Sequence, residues 1–135
     1  MAVFALTSVT TTLNSADITG DTKSVVLTVD AAQLDTTDFA SGGWTEMIGG
    51  LKSGSLSITF NDDVADGAID DDLWAILGTV VGFTVKPTSA SVGGSNPSYS
   101  GDVLITSHAI GGAVGDLAGK TLTFPLSGAV TRAES

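Results

Sequence analysis

No cysteine occurs in the 135 residues, which excludes disulfides, thiolate metal sites and a cysteine nucleophile and fits assembly in a reducing cytoplasm. Stability must then come from packing and association. Positive charge is nearly as scarce: five Lys and Arg stand against fifteen Asp and Glu, a formal net charge of −10. The cations Lys23, Lys52, Lys86, Lys120 and Arg132 are scattered singly. No basic stretch is available to neutralise phosphates and release counterions, so the chain should repel nucleic acid rather than hold it. Histidine is reduced to His108, with no cysteine or second histidine to share a metal. No apolar run approaches the roughly 20 residues that a membrane span needs. The opening Met-Ala-Val-Phe-Ala-Leu-Thr also lacks the positive n-region of a signal peptide. A soluble, unprocessed chain with no membrane partner is expected.

What is present is a chain of single-domain size, 42% apolar, able to bury about two-thirds of the surface its unfolded form exposes. No repeat, linker or composition shift divides it, so residues 1–135 are expected to form one β domain. Period-two alternation recurs throughout. Val25, Leu27 and Val29 fall on one face of a strand. Leu56, Ile58 and Phe60 do the same, with Ser55, Ser57 and Thr59 on the other side. The pattern returns at Val81, Phe83 and Val85, at Val103 and Ile105, and at Leu122, Phe124 and Leu126, with a further strand expected around Val3 to Thr12. Six or more strands separated by Gly, Ser, Asn and Asp clusters indicate an all-β sandwich or barrel.

One segment departs from this period. Over about 66–77, Ile69, Leu73, Ile76 and Leu77 follow helical spacing, acidic residues fill the first turns, and Gly78 sits where a C-terminal cap belongs. A short flanking α-helix is expected there. Two long loops are also expected. Residues 88–98 read as an ordinary polar loop, whereas residues 40–50 place Trp44, Met47 and Ile48 among Gly42, Gly43, Gly49 and Gly50. Glycine-hinged loops seldom carry such side chains unless they bury them against something.

The chemical motifs fail on inspection. In the acidic run from Asn61 to Asp72, Asp62, Asp66 and Gly67 match positions 1, 5 and 6 of an EF-hand loop, but positions 3 and 12 are Val64 and Leu73, which offer no oxygen side chain. Helix capping by solvated Asp is the plainer account, with a divalent-ion site of another kind as the alternative. Gly115 to Thr121 resembles a phosphate loop ending in Gly-Lys-Thr, yet it is one residue short and runs into a strand pattern. A turn leading into the last strand is expected. No Gly-x-Ser-x-Gly elbow exists, and carboxylate pairs such as Asp35/Asp38 and Asp62/Asp63 carry little without a cleft. Trp74, Phe60, Phe83 and Phe124 occupy apolar positions and are expected in the core. No enzyme, metal or cofactor is indicated.

Residues 23–60 carry a resemblance. A strand leads into Leu34-Asp35-Thr36-Thr37-Asp38-Phe39, then the glycine-hinged loop, then Gly50-Leu51-Lys52-Ser53-Gly54-Ser55-Leu56-Ser57. This resembles the tail tube, or major tail, proteins of long-tailed bacteriophages, especially those of actinobacterial hosts. The Asp-Leu-Trp-Ala-Ile-Leu helix, Val85 to Ala90, Asn96-Pro97 with Tyr99, and Pro125 to Gly128 extend the likeness over most of the chain. The resemblance implies a virion protein assembled in the host cytoplasm, its copies forming hexameric rings stacked into a hollow tube. Its partners would be itself and other tail proteins, with DNA passing through unbound and no cofactor. A capsid decoration or tail-terminator protein, or a carbohydrate- or cell-surface-binding β-sandwich module, would suit the same composition. On the tube reading, Phe39, Trp44, Met47 and Ile48 form the subunit interface. The competing expectation is that Trp44 folds back and closes its own core.

Overall fold

A computed structural model of the chain describes residues 5, 7–61, 69–111 and 113–134. Eight strands among them form two antiparallel sheets. The larger sheet joins β1 (Thr10–Leu13), β2 (Ala16–Asp17), β5 (Val80–Lys86), β6 (Ser98–Leu104) and β8 (Thr131–Ala133), in the order β2-β1-β5-β6-β8. The smaller joins β3 (Thr22–Asp35), β4 (Met47–Asn61) and β7 (Gly119–Pro125), in the order β3-β4-β7. The fold is all-β, with a single short helix, α1 (Ile69–Ile76), among the described residues.

The alternation explains the core. Leu56, Ile58 and Phe60 of β4 are completely buried, and register places Leu56 opposite Phe124 and Ile58 opposite Leu122 on β7, so one face of this pair is continuously apolar. Leu13, Val81, Phe83 and Val103 of the larger sheet belong to the same cluster. Each such side chain contributes on the order of 1.5–3 kcal/mol by leaving water. The intervening hydroxyls line the outer face, where Thr59 and Thr121 are hydrogen bonded at 2.9 Å and the Thr123 hydroxyl donates to that of Ser57 at 3.3 Å.

Helix α1 anchors through Leu73, which is fully buried, and Ile76, which packs on the core edge. Gly78 terminates it with a left-handed φ of 86°, a conformation that costs glycine little. Its N–H then donates to the Ile105 carbonyl at 2.7 Å. Residues 66–68 and most of the acidic run lie outside the described residues.

Five expectations are corrected. Trp74 is not core: it follows Leu73 by about 100° around the helix, is two-thirds exposed, and meets His108 edge-on at a 5.5 Å centroid distance. Val29 is exposed although Val25 and Leu27 on its face are half-buried, because it lines an open trough across from Tyr99. Of the strand expected around Val3 to Thr12, residues 1–4 and 6 lie outside the described residues, and the described strand begins at Thr10. β8 follows β7, so the strand after Gly-Lys-Thr is not the last. Finally, the loop expected at 40–50 is displaced: Met47 to Gly50 belong to β4, and the connection spans 36–46. Loop 88–98 is polar but closely tied. The buried Asn96 amide accepts from Thr88 N–H at 3.0 Å and donates to the Ala90 carbonyl at 2.8 Å.

Candidate assembly surface

The β3–β4 hairpin outgrows the body that it helps to build. Its ladder is antiparallel from Thr22–Phe60 to Asp35–Met47, yet from Thr28 to Ser53 every residue is exposed except the half-buried Ser41 and Gly50. Six residues beyond Val29, at about 3.4 Å each, carry the end of the ladder roughly 20 Å from the core. The arm is bent on the way. Ala31 pairs with Lys52 but Gln33 pairs with Gly49, so β4 carries one extra residue at Gly50–Leu51, a bulge that increases local twist. A side chain at position 50 would stand 3.2 Å from Leu34, so glycine there makes room for leucine on the neighbouring strand.

The tip is a built turn. The Asp38 carboxylate accepts from Ala40 N–H at 2.9 Å while Asp38 N–H donates to the Ser41 hydroxyl at 3.0 Å, a reciprocal capping box on the short turn Phe39–Ser41. Gly42 and Gly43, at φ 65° and 86°, then reverse the chain. Thr36 N–H donates to the Glu46 carbonyl at 2.9 Å and the Thr37 hydroxyl accepts from Glu46 N–H at 2.8 Å. The Thr37 hydroxyl, and then its N–H at 2.8 Å, hold the Asp35 carboxyl below the ordinary carboxylate value. The arm's reach therefore comes from a paired ladder rather than from glycine freedom.

The structure brings all four sequence-derived interface residues to this tip and leaves them in solvent: Phe39 is 110% exposed, Trp44 79%, Met47 52% and Ile48 56%. Trp44 does not fold back onto its own sheet. Leu34 and Leu51 join them on the arm. Sequence reading passed over both, although apolar residues on both faces of one strand are the signature of a strand covered on both sides. Register puts Leu34 directly opposite Ile48 and Asp35 opposite Met47, so apolar side chains occupy both faces of the arm. Trp74, Ile110, Val114 and Leu117 are further exposed apolar side chains outside the arm.

The remaining motifs resolve structurally. Gly119 and Lys120 open β7, and a side chain at 119 would lie 2.8 Å from the Phe60 carbonyl oxygen. The glycine therefore serves strand packing. Among the described residues no cluster of three or more His, Cys, Asp or Glu could hold a metal ion, and no helix is long and apolar enough to cross a membrane. The arm offers apolar contact area and carboxylates.

No protein-family model and no curated protein matches the chain. Solved structures share its fold, two of them from gene transfer agent particles. One is a chain in the virion of a native gene transfer agent particle, 24% identical, with a TM-score of 0.67 over 84% of this chain and 85% of that one. The other is a chain in the tail of an empty gene transfer agent particle refined with C6 helical symmetry, 23% identical, with a TM-score of 0.64 over 82% and 81%. The likeness covers most of each chain and establishes a common all-β architecture.

Proposed function

We propose that the protein is a structural tail protein of a phage-like particle, its copies building the tail tube from stacked hexameric rings through which DNA passes. The observation that carries this reading is the apolar arm, which has no partner on its own body and so requires one elsewhere. Three further points support it: the fold shared with a chain in a C6-symmetric tail, the likeness of residues 34–39 and 50–57 to tail tube proteins, and the charge. A hexamer carries about −60 (six times −10). Part of that charge facing the lumen would let DNA slide without sticking. The role is architectural, without enzymatic activity or cofactor, and its place is the virion tail, assembled in the host cytoplasm.

Negative-stain microscopy of the purified protein, with and without a tail initiator complex, is the test. Stacked rings or hollow tubes are expected. A strict monomer at high concentration by light scattering, with initiator present, overturns the reading. Assembly only on capsids would favour a decoration protein, and a monomer that binds glycans a surface-binding module. Tight, steeply salt-dependent binding of duplex DNA to assembled tubes would refute the conduit.

A further inference from the structure

Beside the base of the hairpin the body is open. Val25, Leu27 and Val29 of β3 face Val85, Pro87 and Tyr99 across a trough of about 450 Å³. At one end it continues, through Val29 and Tyr99, into a recess of about 530 Å³ bordered by Lys52 and Arg132. At the other it continues, through Val25, into a recess that includes Lys23. Lys52 and Arg132 therefore stand at one end of the apolar trough and Lys23 beyond the other. Arg132 is fixed at the rim: its guanidinium donates to the Tyr99 hydroxyl at 3.0 Å, stands 5.8 Å from the ring centroid, and pairs with the exposed Glu134. β3 is the outer strand of its sheet, so the wall of the trough is also a strand edge of the kind that invites a second chain.

We propose that this trough receives the tip of the arm of a second copy, with Phe39 and Trp44 seated against its valines and Tyr99, and Asp38 and Glu46 facing Lys52 and Arg132. The proposal rests on the tube reading and supplies the arm with its seat. Charge selects the site. From Asp30 to Glu46 the arm carries four carboxylates, Asp30, Asp35, Asp38 and Glu46, and no cation. Most of the surface of a −10 chain repels such a tip, whereas Lys52 and Arg132 stand together at one end of the trough. Reach selects the occupant, because a paired ladder holds each tip about 20 Å from its own trough. Tip and trough are different surfaces, so their contact is heterologous and propagates from copy to copy, closing into a ring or extending as a filament.

Charge reversal in trans tests this. One variant, Lys52→Glu with Arg132→Glu, reverses the trough; another, Thr45→Lys with Glu46→Lys, reverses the tip. Each alone should stay folded by circular dichroism and assemble only at a concentration raised about a hundredfold, since like charges then meet at every contact. Mixed in equal amounts, they should co-assemble with alternating subunits near the wild-type concentration. Normal tubes from the trough-reversed variant, or no rescue on mixing, overturn the seat while leaving the tube reading intact. A wild-type chain that never assembles overturns both. An independent measurement uses Trp74→Phe, which leaves Trp44 as the sole tryptophan. Its fluorescence should shift to the blue on assembly, and unshifted emission in assembled tubes also overturns the proposal.

Discussion

From Val25 to Leu27, β3 turns alternate side chains into the body, and opposite it β4 buries Leu56 and Ile58 completely. From Asp30 to Asp35 the same two strands remain paired, yet nothing they carry is buried by their own chain. Hydrogen bonding is continuous across the boundary; burial is not. The comparison separates two sources of order that usually coincide. The base is held by apolar area removed from water, about 1.5–3 kcal/mol per core side chain. The arm is held by its ladder, its capping box, the Thr37 bonds to Asp35 and Glu46 and its continuity with the base, and a two-stranded hairpin alone is marginal in water. An element built this way is ordered without being buried, and on the proposed reading it gains its burial from a second copy.

The comparison can be broken most severely at the base. Phe60→Ala should cost about 3–5 kcal/mol of folding stability through the cavity it leaves, and denaturant titration of the monomer should show it. Assembly should fail in that variant because the subunit unfolds. At the boundary stands Gly54, where an added Cβ would lie 2.0 Å from the Thr28 carbonyl oxygen and 3.0 Å from Leu126. Gly54→Ala must push the two strands apart, and a loss near 3 kcal/mol is expected, the upper end for overpacking. A melting temperature equal to wild type would show that the base tolerates separation of its strands.

At the tip the pattern should invert. Trp44→Ala should change monomer stability by no more than about 0.5 kcal/mol and weaken association by about 2 kcal/mol or more. Sedimentation velocity and circular dichroism of the same sample check both halves. Tubes of normal length, or a mutant that unfolds, would place Trp44 in a different role. The smallest effect concerns Asp35. Its carboxyl titrates below its ordinary value of 3.8, so its ionised form is favoured in the folded tip. That contribution is fully present above about pH 4 and is lost as pH falls through the lowered folded value. Amide chemical shifts of Thr37 should therefore move on acidification in the wild type and stay still in Asp35→Asn.

Much of the base was legible in the sequence because strand period and burial agree there. Leu56-Ser57-Ile58-Thr59-Phe60 and Leu122-Thr123-Phe124 announce both their conformation and their inner face. The helix was legible from its spacing and from Gly78. The arm was legible only in part: Trp44, Met47 and Ile48 stood out as apolar residues among glycines, but Gly49 and Gly50 made a strand look like a loop. Gly50 proves compatible with the ladder because a bulge and the Leu34 side chain occupy the space beside it.

By itself the sequence determined the all-β class, the inner faces of the central strands, the end of the helix and four apolar candidates at the tip, Phe39, Trp44, Met47 and Ile48, because each depends on neighbours a few positions apart. Only tertiary structure decided that β3 and β4 stay paired past the edge of the body, that Trp74 lies outside the core, and that Lys52 and Arg132 come together at one end of an apolar trough. These follow from how the two sheets face each other and from strands brought together across tens of residues, which no local period encodes.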